Sequence, residues 1–154
     1  MDWTAIYKTV GLCLISVVIE IISATKEGKN WFENLEQPKY ALPFSFWYVV
    51  GGLYYLVCGI IAYRQFHIST KLFSIPVILL TLIMIINGLS NFLLFKFYSL
   101  KFFFTVLFPF ALLLIGLIFS LYPKDKVSAG LAAIYLLWLG YDIYYFRVLL
   151  RRNT

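Results

Sequence analysis

The chain has 154 residues, of which 62% are hydrophobic, 20% aromatic and only 13% charged, with a formal net charge of +6. Soluble domains run near ~25% charged and ~45–50% apolar. A globule of this size cannot bury so much apolar surface. A soluble enzyme, a disordered chain and a disulfide scaffold are therefore excluded. An integral membrane protein remains.

Crossing a hydrocarbon core of roughly 30 Å takes about 20 apolar residues in a helix. Five runs meet that length in chain order, over about 5–24, 44–63, 72–95, 102–122 and 127–149. They do not alternate as barrel strands do, and backbone amides in lipid must pair within their own segment. The predicted fold is an all-α membrane protein, a single five-transmembrane-helix bundle over residues 1–154. Pro76 falls in the first turn of the third span, where its missing N–H costs little. Pro109 falls inside the fourth, where a kink is expected. Pro123 and Lys124-Asp125-Lys126 form a tight polar turn. The longest connection, 25–43, mixes charge with Trp31, Phe32, Leu35 and Tyr40. It is expected to fold over the mouth of the bundle as a lid, with an interfacial anchor as the alternative.

Five spans put the termini on opposite sides. Lys8, Arg64, Lys71, Lys124 and Lys126 fall on the N-terminal side. Lys26, Lys29, Lys39, Lys96, Lys101, Arg147, Arg151 and Arg152 fall on the other. The larger basic set places the long connection and the C-terminus in the cytoplasm. The positive charge is thus a signal for topology and lipid headgroups. Nucleic acid is not an expected partner, since no basic face projects from a soluble domain. Cys13 and Cys58 fall inside spans and read as small buried hydrophobes. With His67 alone in a loop, no metal site is expected. No phosphate-binding loop, dinucleotide turn, zinc-protease helix or nucleophile elbow is present. Catalytic residues are not assigned.

Polar groups inside lipid are costly and face the bundle interior. Helical spacing groups them into stripes. These are Cys13, Ser16, Glu20 and Ser23 on the first span, and Trp47, Gly51, Tyr54, Tyr55 and Cys58 on the second. Met84, Asn87, Asn91 and Phe95 share a face of the third, and Tyr135, Trp138, Asp142 and Tyr145 of the fifth. Converging stripes of this kind build an apolar cavity with a few oriented polar groups. Bland alternatives stand beside that reading. Asn87 and Asn91 would serve equally as hydrogen-bonding glue between helices. Glu20, near a helix end, is expected to reach out to the interface. Asp142 would pair with a neighbouring helix, contact a ligand or relay a proton. Tyr135 and Trp138 would serve as core packing.

Trp31-Phe32-x-x-Leu35-x-x-Pro38-x-Tyr40-x-x-Pro43, followed by Leu53-Tyr54-Tyr55, resembles the first loop and second helix of the TspO/MBR family. This family comprises the tryptophan-rich sensory proteins and translocator proteins, once called peripheral benzodiazepine receptors. Asn87 and Phe95 resemble its third-helix Asn and Phe. Lys126-Val127-Ser128-Ala129 and Tyr135-Leu136-Leu137-Trp138 resemble the start of its fifth helix and its Tyr-x-x-Trp. The pocket pattern departs from the family at Gly51, where a Trp is usual, and at Tyr40-Ala41-Leu42-Pro43 in place of Trp-x-Pro-Pro. Ile134 replaces a Pro, Asp142 a small residue and Phe146 an Asn. Trp47, one turn before Gly51, is expected to refill that space.

The resemblance implies a membrane binding protein or sensor for a hydrophobic small molecule held between helices. The family's ligands are tetrapyrroles such as protoporphyrin IX or haem, sterols and isoquinoline-like compounds. The inward stripes and the resemblance together give the candidate ligand-binding residues as Trp31, Pro43, Trp47, Gly51, Tyr55, Asn87, Phe95, Tyr135, Trp138 and Asp142. No cofactor is required. Alternative activities are transport of hydrophobic metabolites and light-dependent porphyrin degradation. The latter is weakened by the absent second-helix indole, and enzymatic function is the lesser expectation. Leu139-Gly140-Tyr141 through Arg147 loosely matches the family's sterol-recognition pattern, so membrane lipid or sterol is an implied partner. The family is often dimeric, and Ala129 and Ala133 form a small-x-x-x-small pair suited to close helix packing. The expected location is the cell membrane of a prokaryote or the outer mitochondrial membrane of a eukaryote.

Overall fold

The computed structural model of the chain describes residues 2–23, 25–69 and 73–154. Its helices are α1 (Trp3–Ser23), α2 (Lys26–Glu33), α3 (Phe44–Ile68), α4 (Ile75–Phe97), α5 (Leu100–Leu121) and α6 (Lys126–Asn153). All but α2 are long and apolar enough to cross a membrane. Leu112, Phe119 and Leu137 are 70%, 74% and 78% exposed. Side chains of that kind on outer faces fit lipid as the surrounding solvent.

The long helices pack in a ring, with α3 and α4 also touching across it. The ring runs α1, α3, α6, α5, α4 and back to α1, and α2 sits on α4 at one end. Three of the five spans run past their expected ends. α3 continues to Ile68 through Arg64, Gln65 and His67, α4 to Phe97 and α6 to Asn153. Backbone bonding carries a helix beyond the hydrocarbon layer, so the fall in hydropathy marks the lipid boundary and not the helix end. The expected end of the first span at 24, and the expected start of the third at 72, lie outside the described residues. α4 begins at Ile75 with Pro76 in its first turn. α5 runs unbroken through Pro109.

The connection 25–43 is not wholly a loop. Thr25 starts α2, its hydroxyl accepting from the Gly28 amide at 3.1 Å, a cap that satisfies one orphan donor of the first turn. Between α4 and α5 the chain turns at Tyr98, a non-glycine residue in the left-handed region (φ 53°). That strained cap is braced by the Trp31 ring, with centroids 5.2 Å apart.

Close approach substitutes for hydrophobic drive where lipid is the solvent. At Gly88 on α4, an added Cβ would come within 2.9 Å of Ile19 Cγ2 on α1. At the end remote from α2, buried Asp125 caps α6. Its Oδ2 accepts from Ser128 Oγ at 2.6 Å, and its Oδ1 from the Ser128 amide at 3.2 Å. Arg64 grips the same carboxylate through Nη2 (2.8 Å) and Nε (2.9 Å), and Gln65 Nε2 donates to it at 3.2 Å. α3 is thereby tied to the start of α6.

The hydrogen bond from Arg64 above all, then those from Ser128, hold the Asp125 carboxyl well below the usual carboxylate range. A carboxyl depressed in the folded state stabilises the fold at pH above its unfolded value of roughly 3.9, and that stabilisation is lost as pH falls toward the folded value. Asp125→Ala is expected to lower stability by about 2 kcal/mol at neutral pH, from the lost cap and charged hydrogen bonds. Thermal unfolding in detergent, followed by tryptophan fluorescence, should also fall less steeply for the variant than for the native chain between pH 4 and pH 2.

Candidate functional site

The stripes converge on a cavity of about 560 Å³ in the half of the bundle beneath α2. α3 contributes Phe44, Trp47, Gly51 and Tyr54. α4 contributes Asn87, Ser90, Asn91, Leu94 and Phe95, and α6 contributes Tyr135, Trp138, Asp142 and Phe146. Glu20 reaches it from α1. α5 supplies an apolar wall of Phe103, Val106, Leu107 and Phe110. Lys26 and Lys29 of α2 lie at the roof. Ile21 and Tyr48 belong to the lining yet are 67% and 64% exposed, which marks a side opening between α1 and α3. Below the cavity, Leu80, Ile83 and Met84 close the bundle as buried packing.

The aromatic wall is continuous. Trp47 meets Trp138 edge to face at 6.0 Å, Tyr145 at 5.3 Å and Phe146 at 6.2 Å. Tyr54 packs on Tyr135 at 5.1 Å. Contacts of this kind add about 0.5–1.5 kcal/mol each beyond burial, so the walls are rigid. A Cβ at Gly51 would have nothing within 4 Å. The space left by that residue is open, and Trp47 fills the neighbouring turn.

Of the candidate ligand-binding residues, Trp47, Gly51, Asn87, Phe95, Tyr135, Trp138 and Asp142 line the cavity together. Trp31, Pro43 and Tyr55 do not. Trp31 is turned to Tyr98 and fastens the roof, while its neighbour Phe32 faces the cavity. Pro43 stands just before α3 as its N-cap residue. The Tyr55 hydroxyl donates to Glu20 Oε2 instead. Asn91 Nδ2 donates to Glu20 Oε1 at 3.0 Å. Glu20 therefore does not reach out to the interface, which corrects the reading from sequence. Its partners sit on α3 and α4, where a single-helix pattern cannot see them. Asn91 acts as the glue that one of its two readings gave. Of the first-span stripe, Ser16 is buried with an unpartnered hydroxyl, and the Ser23 side chain lies outside the described residues.

Three of the described lining residues carry an unsatisfied polar atom. Trp47 Nε1, Tyr54 Oη and Asp142 Oδ1 are buried without a hydrogen-bond partner. Trp138, one turn back on α6, turns its indole N–H toward the Asp142 carboxyl. Among the described residues Asp142 forms no ion pair, and Arg147, five positions on, is exposed. Buried polar groups without partners are rare and point to a missing ligand or function.

The roof is held from two directions. Phe32 packs against Phe44 at 5.9 Å, Phe95 at 6.0 Å and Phe146 at 6.2 Å. The end of α6 clasps the segment after α2. The Tyr145 hydroxyl donates to Gln37 Oε1 at 2.6 Å, the Tyr40 hydroxyl to Tyr144 Oη at 2.9 Å, and Arg152 Nη1 to the Gln37 carbonyl at 3.1 Å.

A family model described as the TspO/MBR family matches residues 9–147. The chain belongs to the TspO/MBR family. It is an integral multi-pass membrane protein of the sensor or binding kind. No curated protein matches it. Within the TspO/MBR frame, the residues that sequence reasoning missed are Phe32, Lys26 and Lys29 of the roof and the α5 wall. Past Lys101 in its first turn, α5 carries no charge and only one hydroxyl before Pro109, so nothing in its sequence marks an inner face.

Gly28 lets the roof sit close. An added Cβ there would lie 2.8 Å from the Phe95 carbonyl oxygen and 2.9 Å from Thr25 Oγ1. Gly28→Ala is expected to lift α2 from α4 while the five spans stay folded. Trypsin should then cut at Lys26, Lys29 and Lys39 several-fold faster than in the native protein, with the unfolding temperature of the bundle little changed.

Proposed function

We propose that the protein binds a flat, largely apolar small molecule in the cavity beneath α2, and acts as a membrane sensor or carrier-type receptor for it. The observation that carries this reading is the cavity itself. About 560 Å³ of space falls in the range of sites for drug-sized ligands, roughly 300–1,000 Å³. Its wall is aromatic and apolar, and Asn87, Trp47 and Asp142 are placed to orient a guest. The family's ligand classes, tetrapyrroles, sterols and isoquinoline-like compounds, are flat bodies of this kind. Lys26 and Lys29 at the roof suit an acidic edge such as a porphyrin carboxylate. In that pose the macrocycle stacks on Trp138 and Tyr135.

A second reading, light-dependent breakdown of a bound porphyrin, is favoured by the two indoles Trp47 and Trp138 at 6.0 Å in the wall. Illumination of a porphyrin complex with loss of the Soret band would support it.

The binding reading is tested by quenching of tryptophan fluorescence with protoporphyrin IX, a sterol and an isoquinoline probe. A Cβ at Gly51 meets nothing within 4 Å and the residue lines the cavity, so Gly51→Leu projects into open space and the fold is expected to survive. At least one probe should bind saturably to the native chain and at least tenfold more weakly to Gly51→Leu. Absence of saturable binding by all three, or binding that ignores the substitution, overturns the proposal.

A further inference from the structure

The cavity carries a chemical bias beyond its shape. Its deep α6 wall holds one carboxyl group, Asp142, with Oδ1 buried and unpartnered. No ion pair reaches it among the described residues. Among the described residues, the basic ones in the lining are Lys26 and Lys29 at the roof. Lys29 is engaged there, 3.8 Å from Glu33 and over the Phe44 ring at 5.4 Å. The other carboxylate of the lining, Glu20, already accepts from Tyr55 and Asn91. Around Asp142 stand aromatic rings, with Trp138 one turn before it and Trp47 at 6.0 Å from Trp138.

A carboxylate in an apolar setting needs a counter-charge, because an isolated buried charge is heavily penalised. Aromatic faces attract cations through their quadrupoles, and indoles do so best. An acid flanked by indoles is therefore the complement of a positively charged nitrogen on an apolar body. The Trp138 N–H, turned toward the carboxyl, is a donor and adds nothing for an ammonium group, but it helps hold the carboxylate in place.

We propose that Asp142 makes this cavity selective for hydrophobic amines: ligands with a flat apolar body and one ammonium group, which sits against the Asp142 carboxylate beside the Trp138 ring. This rests on the cavity being a binding site and names the class of ligand it takes. The occupant supplies the missing charge partner, so the ligand and the buried acid stabilise each other. A neutral compound of the same shape leaves Asp142 unpaired, and an acid group placed there meets repulsion, which leaves a carboxylate only the roof beside Lys26 and Lys29.

The test uses three probes of one shape: 1-pyrenemethylammonium, 1-pyrenemethanol and 1-pyrenecarboxylate. The full-length protein is placed in phosphatidylcholine nanodiscs, and energy transfer from tryptophan to pyrene is titrated against empty discs. In the native protein the ammonium probe should bind at least tenfold more tightly than the alcohol, and the carboxylate most weakly. In Asp142→Asn the alcohol should keep its affinity while the preference for ammonium falls to near unity. Equal or tighter binding of the alcohol in the native protein overturns the proposal even if the variant fails to fold. So does an ammonium preference that survives Asp142→Asn. Lack of saturable binding by every probe defeats the cavity reading itself, an outcome separate from binding without charge preference.

Discussion

A carboxylate placed among acyl chains must find partners inside the protein, and Glu20 shows how much of the architecture follows from that constraint. Its two oxygens accept from Tyr55 on α3 and Asn91 on α4. One side chain thus joins the outermost helix to both of its neighbours and closes the ring. Close packing at Gly88 does the rest for α1, because lipid offers no hydrophobic gain for helices to associate. The two ends are fixed by different chemistry. Asp125 with Arg64 and Ser128 binds α3 to α6 at one end, and the clasp of Gln37 and Tyr40 on α6 binds the roof at the other. With the ends held, the middle of one half can stay hollow. A helix bundle joined only by its central side chains would have to fill that space.

The five membrane segments were legible because lipid demands length and hydropathy, and both are written in single runs of sequence. Their ends were less so, since Arg64, Gln65 and His67 continue a helix after the apolar signal has stopped. α2 was hidden in the long connection for a related reason. It is short and polar, and its shape depends on Gly28 meeting Phe95, a contact with a segment far along the chain. The Thr25 cap alone is local to the segment.

For the cavity, the reading from sequence worked where a polar residue marks a helix face. Asn87 and Asp142, with Trp47 and Trp138 in register, identify the inner sides of α3, α4 and α6. It failed where the mark was absent or shared. The α5 wall is phenylalanine and leucine on every side, so no periodicity distinguishes inside from outside. Trp31 and Phe32 are adjacent and both aromatic, and only the position of Tyr98 decides which one turns inward. Tyr54 and Tyr55 pose the same ambiguity, resolved by the location of Glu20.

The gap between α1 and α3, edged by Ile21 and Tyr48, faces the side of the bundle and not its end. A guest arriving there would come from the acyl region of the bilayer, having first dissolved in it. Its working concentration is then the aqueous concentration multiplied by its partition coefficient, which for greasy molecules is a large factor. A receptor entered in this way can have weak intrinsic contacts and still respond to traces in water. Its apparent sensitivity would shift with the composition of the membrane around it.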